Sequence, residues 1–93
     1  MSDIRLEKPS KKLLTELGVD SWGTWEKSES EFPWTYSDSE TCYILEGKAE
    51  VEASDGRKTV FGPGDLVTFP KGLECFWRIR EKIRKKYAFG LDR

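Results

Sequence analysis

The 93-residue sequence contains no histidine, and that absence narrows the chemistry more than any residue that is present. Histidine is the commonest metal ligand and the side chain best suited to moving protons near neutral pH. An imidazole metal cage and a histidine-based catalytic triad are therefore both excluded. Cysteine is scarce: Cys42 and Cys75 are too few for a disulfide framework. No charged-then-apolar leader opens the sequence, so cytoplasmic residence with reduced thiols is expected. Apolar runs are only a few residues long, against the ~20 needed to cross a bilayer, and no membrane partner is expected. Sixteen basic and seventeen acidic residues leave a net charge of -1, without the global field that draws a protein to nucleic acid.

What is present suits one small globular unit. Hydrophobic residues make up 37% of the chain, aromatics 13% and charged residues 35%, enough for a core under a strongly solvated surface. A single domain over residues 1–93 is expected, because a chain of this length buries only ~60 to 65% of its unfolded surface. Ser10 precedes KKLLTELG, where Leu13, Leu14 and Leu17 recur at helical spacing before Gly18. This predicts one short helix over 11–17.

From about residue 20 to residue 90 the character changes. WGTWEKS, FPWTYS, TCYILE, KAEVEA, KTVF, DLVTFP and ECFWRIR are short segments rich in aromatic and branched residues. SDGR at 54–57 carries the Asp-Gly signal of a tight hairpin, and GPGD and PKG mark further reversals. Short, regularly spaced strands point to an all-β domain, and closure into a barrel would remove exposed edges. Period-two alternation puts Glu40, Cys42 and Ile44 on one face, and Cys75, Trp77 and Ile79 on one face of a later strand. A bulge would flip part of either set.

Two stretches then resemble the cupin motifs. In WTYSDSETCYILEG, Trp34, Tyr36, Glu40 and Gly47 fall at the places of the first motif's two histidines, glutamate and glycine. In the second motif Gly64, Pro70 and Gly72 match, Cys75 takes the histidine place and Ile79 the asparagine place. The resemblance extends to EGKAEV and GPGDLVTFPKGL, which are similar to the small cupins grouped with the cupin domain of (S)-ureidoglycine aminohydrolase. It implies a single-domain jelly-roll β-barrel with its pocket at the motif residues.

The resemblance also marks where the chemistry departs. Cupin metals are held by imidazole nitrogens and one carboxylate, and only Glu40 of that set remains. The Trp34 indole has no free lone pair to offer a metal. Tyr36 ligates only as phenolate and Cys75 only as thiolate, from ordinary pKa values of roughly 10 and 8.5. No cofactor is expected; the lesser alternative is a divalent transition metal on Glu40, Tyr36 and Cys75.

Glu40 is the most informative side chain, since a carboxylate inside an aromatic barrel must be paired, hydrogen-bonded or protonated. Glu40, Tyr36 and Cys75 are the candidate catalytic residues, and Trp34, Cys42 and Trp77 the candidate ligand contacts. RIREKIRKK at 78–86 carries six basic residues and one acid, with no interleaved aromatic platforms, and is expected to be a solvated strand face. Of Trp22 and Trp25, on opposite faces of one strand, one is expected to be exposed at an interface. The function expected first is a metal-free pocket that binds a small molecule or performs acid–base chemistry on it. The alternatives are a metal-dependent aminohydrolase or oxygenase and a non-catalytic structural or regulatory barrel. Either way the chain is expected to be a monomer or homodimer.

Overall fold

The computed structural model describes residues 4–91. A short strand, β1 (Arg5–Glu7), leads to helix α1 (Lys11–Leu17) and a single 3-10 turn over Val19–Ser21. Ser10 caps the helix by accepting the Leu13 N–H at 3.1 Å, and Gly18, at φ 70°, closes it by donating to the carbonyls of Leu14 and Thr15. The helix lies where the Ser10 and Gly18 signals put it. Six strands follow: β2 (Gly23–Lys27), β3 (Ser30–Thr35), β4 (Glu40–Ala53), β5 (Lys58–Phe61), β6 (Leu66–Phe69) and β7 (Glu74–Phe89).

Two long antiparallel strands, β4 and β7, form the spine, paired from Glu40 opposite Phe89 to Ala53 opposite Cys75. Each flanks different short strands along its length. The first half of β4 pairs with β6 and the second with β5, while β7 pairs with β3 at its start and β2 at its end. The result is two rows of strands, β1-β6-β4-β7-β2 and β5-β4-β7-β3, sharing the same two spines.

Gly47 sits where β4 changes rows. TCYILE and KAEVEA, expected as separate strands, form one strand that runs through Gly47 at φ 90° with the ladder irregular from Ile44 to Ala49. A Cβ at Gly47 would lie 2.1 Å from the Lys82 carbonyl oxygen, so β7 passes too close for any side chain. The bulge also shifts the inward phase: Glu40, Cys42 and Ile44 face the core before it, Ala49 and Val51 after it.

The hydrogen-bonded ladder does not close into a barrel among the described residues. Its edges are managed instead by brevity and charge: β1 has only three residues, β2 ends in Glu26 and Lys27, and β5 begins at Lys58. Between the rows lies one core of Tyr36, Ile44, Val51, Phe61, Phe69, Trp77 and Ile83 with their neighbours. The expected 54–57 hairpin joins β4 to β5, with Gly56 at φ 90° donating to the Ala53 carbonyl at 2.9 Å. No helix among the described residues is long and apolar enough to cross a membrane.

Candidate functional site

Inward alternation on β7 does not stop at Ile79. After a break at exposed Glu81, Ile83 and Lys85 resume it, and Lys85 enters the interior beside the first half of β4, where it is only 4% exposed. The solvated-face expectation for RIREKIRKK holds for Arg80, Lys82 and Arg84, which are exposed. It fails at Lys85. Glu40, at 6% exposure, explains the difference: Lys85 Nζ donates to Glu40 Oε1 and Oε2 at 3.4 and 3.3 Å, and to Cys42 Sγ at 3.3 Å. An ammonium has three donors, and the Glu40 carboxylate and the Cys42 sulfur both accept from it.

Two indoles complete the surroundings of that ammonium. Lys85 Nζ lies 4.8 Å from the ring centroid of Trp25 and 4.9 Å from that of Trp77. Trp25 faces Lys85 directly across the β2–β7 pairing, so the contact is built into the register. A cation desolvated between two indole faces recovers part of its lost hydration from the ring quadrupoles.

The pair forms the polar floor of a cavity of about 190 Å³. Trp25, Phe32, Trp77 and Tyr87 form its walls, and Trp34 and Phe89, 53% and 56% exposed, stand at its mouth. The aromatics hold one another: Phe32 stacks on Trp77 at 6.0 Å, Trp34 meets Tyr36 edge-on at 6.5 Å, and Tyr36 stacks on Phe69 at 4.9 Å. The Tyr36 hydroxyl accepts the Trp77 indole N–H at 3.3 Å. Burial, reinforced by the nearby Glu40 charge, raises the Tyr36 pKa far above the ordinary phenol value, so the ring is a neutral phenol.

Glu40, Tyr36, Trp34 and Trp77 are therefore brought together. Cys42 lies beneath them as a fully buried thiol whose pKa burial pushes up to about 12, against the lowering influence of Lys85. Cys75 is placed elsewhere. It does not line this cavity but a shallow groove with Glu52 and Arg78; its Sγ faces the Trp34 carbonyl at 3.5 Å, and burial raises its pKa to about 11. Both cysteines are free thiols. Trp22 and Trp25 are each half-buried, the former donating to the Leu17 carbonyl; Trp34 and Phe89 are the exposed aromatics instead.

Sequence reasoning missed Lys85, Trp25, Phe32, Tyr87 and Phe89. The signal for two of these was partly available: counting in twos from Cys75, Trp77 and Ile79 passes through Glu81, which is exposed, and then reaches Ile83, Lys85 and Tyr87. The positive charge of the segment masked it.

Two rows of antiparallel strands around an inward carboxylate at the first-motif position define a cupin-domain protein. More narrowly, residues 14–87 match the EutQ-like cupin domain, and the chain belongs to that family. It is 53% identical to a DUF861-family protein from Thermotoga maritima whose crystal structure superposes with a TM-score of 0.93, covering 95% of this chain and 100% of the other. It is 30% identical over 66 residues to the acetate kinase EutQ of Clostridioides difficile strain 630, covering 71% of this chain but only 41% of that protein. The crystal structure of the C. difficile EutQ protein superposes with a TM-score of 0.67, covering 72% of this chain and 52% of the other. A EutQ protein from Salmonella typhimurium, at 22% identity and a TM-score of 0.66, shares the fold. These matches are to the EutQ and DUF861 type rather than to ureidoglycine aminohydrolase.

Proposed function

We propose that the cavity binds a small planar organic molecule without a metal, its body between the aromatic walls and its polar edge on the Glu40–Lys85 floor. The observation that carries this is the pairing itself: a carboxylate and an ammonium, 3.3 Å apart, at the base of an otherwise aromatic cavity. A carboxamide edge offers a donor and an acceptor side by side. Its N–H is directed to a Glu40 oxygen and its carbonyl to Lys85 Nζ, so neither buried group is left without a partner.

The donor set does not suit a resident transition metal. Both Glu40 oxygens already face an ammonium, Tyr36 is held as the neutral phenol and Cys75 stands outside the cavity. No group of three or more acidic or cysteine side chains able to hold a metal occurs among the described residues. The aminohydrolase and oxygenase readings, which need such an ion, are therefore set aside in favour of the metal-free pocket.

The name of the C. difficile relative, acetate kinase, raises a short carboxylate as a second ligand class. Lys85 favours an anion and Glu40 opposes it. At about 190 Å³ the cavity is comparable to the ~150 Å³ engineered cavity that takes up one benzene ring, which suits acetate or a single planar ring.

Titration of the intrinsic tryptophan fluorescence with benzamide and with acetate tests both classes, since Trp25, Trp34 and Trp77 all contact the cavity. Saturable quenching by benzamide, weakened about tenfold or more by Glu40→Gln, is the expected result. Equal benzamide affinity in the wild type and Glu40→Gln would overturn the assignment of the polar floor.

A further inference from the structure

Lys85 is the one basic side chain of the 78–86 segment that is buried. Its neighbours have other duties: Arg78 bonds Glu50 and Glu52 at 2.7 and 2.9 Å, Lys82 approaches Glu26 at 3.5 Å, and Lys86 donates to the Trp22 carbonyl at 3.5 Å. A lysine in a mostly apolar cavity costs free energy that a leucine at the same place would not. Its amine faces the space in which a ligand would sit, with a carboxylate at hydrogen-bond distance and no histidine in the chain. Buried lysines of this kind are the ones that form Schiff bases with carbonyl compounds.

The geometry points to reversible covalent capture of a small aldehyde by Lys85, with Glu40 as the proton carrier. The inference rests on the cavity being a small-molecule site and deepens it by naming the bond that forms. Proton transfer from Nζ to a Glu40 oxygen gives a neutral amine and a neutral acid, and moves no net charge out of the cavity. The amine lone pair then attacks the carbonyl carbon, the C=O π bond opens, and its oxygen takes the proton held by Glu40. The resulting carbinolamine nitrogen returns a proton to Glu40, which delivers it to the departing hydroxyl. Water leaves and a C=N bond remains. The lysine ammonium and the aldehyde thus give a protonated imine and water, Glu40 ends as the carboxylate it began as, and no oxidant or reductant is consumed.

The surroundings leave one direction of approach to the amine. Trp25 and Trp77 flank Nζ at 4.8 and 4.9 Å, leaving the cavity as the approach for the carbonyl. Cys42 contributes an acceptor at 3.3 Å but stays a thiol, its pKa pushed up to about 12, and so does not compete as nucleophile. The cavity volume suits a short aldehyde or one with a single ring.

Incubation of the full chain with benzaldehyde and sodium cyanoborohydride at neutral pH would reduce any imine to a stable secondary amine, mapped by chymotryptic digestion and mass spectrometry. Lys85 is expected to be labelled at least about fivefold faster than exposed Lys27, Lys58 and Lys71, to be protected by benzamide, and to lose about tenfold in rate in Glu40→Gln while the exposed lysines keep theirs. Labelling of the exposed lysines with Lys85 untouched would overturn the proposal. If benzamide still quenched tryptophan fluorescence in that case, only the covalent step would fall; if it did not, the pocket assignment would fall with it. The labelling pattern and its protection by benzamide are read on the wild-type chain, so the decisive outcome does not depend on Glu40→Gln folding.

Discussion

Replacing Lys85 with methionine removes the ammonium but keeps most of the side chain's volume, and so isolates the electrostatics of the cavity floor. Glu40 would be left 6% exposed with no cation within reach, beside a Cys42 thiol and two indoles. Breaking a buried pair in this way costs about 3–5 kcal/mol. Part of that is already discounted in the native state, because contacts of 3.3 and 3.4 Å are looser than the ~2.8 Å of a strong charge-assisted bond. A loss of about 3 kcal/mol is therefore expected. The companion variant Lys85→Met/Glu40→Leu removes both charges and should recover most of that loss, since an apolar pair of similar volume is often neutral or stabilising. The assay is urea unfolding followed by tryptophan fluorescence. With a slope of about 1–1.5 kcal/mol per molar urea for a chain of this size, the single variant should shift its midpoint down by about 2–3 M at unchanged slope. A single variant within about 0.5 kcal/mol of wild type would refute the pairing, as would a double variant no more stable than the single.

Three further outcomes follow from particular residues. Cys42 has a folded pKa of about 12 against an ordinary 9.0, so the native state holds its proton more tightly than the unfolded chain does. Its stabilising contribution is complete below pH 9 and is lost as pH rises from 9 through 12, by at most roughly 4 kcal/mol; Tyr36, also raised, adds in the same direction. Unfolding followed from pH 8 to 11 should show stability falling, with a shallower fall in Cys42→Ala. Gly47→Ala should cost more than about 3 kcal/mol, because its Cβ meets the Lys82 carbonyl at 2.1 Å, whereas Gly56→Ala, at the same φ of 90° with nothing within 4 Å, should cost only about 1–2 kcal/mol. At ~4–8 °C per kcal/mol, thermal unfolding separates the two, and equal losses would contradict the close approach at Gly47. Lastly, a thiol reagent should modify half-buried Cys75 in the native protein and reach Cys42 only on unfolding, seen by mass spectrometry; native labelling of Cys42 would contradict its burial.

How far the sequence revealed this molecule depended on whether the signal was local. The helix was legible because Ser10 and Gly18 each act within four residues, and the 54–57 hairpin because Asp55-Gly56 specifies a turn by itself. Glu40, Cys42 and Ile44 were assigned inward by alternation, and they are buried. Gly47 was misread as a strand end because a glycine that ends a strand and one that lets another strand pass close look alike in sequence. The distinction lies in Lys82, thirty-five positions away. Lys85 was missed for a related reason: composition favoured solvent for a basic run, and the acidic partner that overrides it lies on a different strand. The expected barrel closure is not confirmed, since the ladder stays open among the described residues, and a local sequence pattern does not choose between closure and short, charged edge strands.

The antiparallel pairing of β4 with β7 grades the cost of closing the cavity. At one end of that ladder Ala53 meets Cys75, and every rung beyond it joins residues further apart along the chain, until Glu40 meets Phe89. Each rung encloses a longer stretch of polypeptide, so the entropy lost in joining it grows toward the cavity end. Cys42 opposite Tyr87 and Ile44 opposite Lys85 are among the last rungs. The cavity residues thus sit at the end of the ladder that is costliest to close.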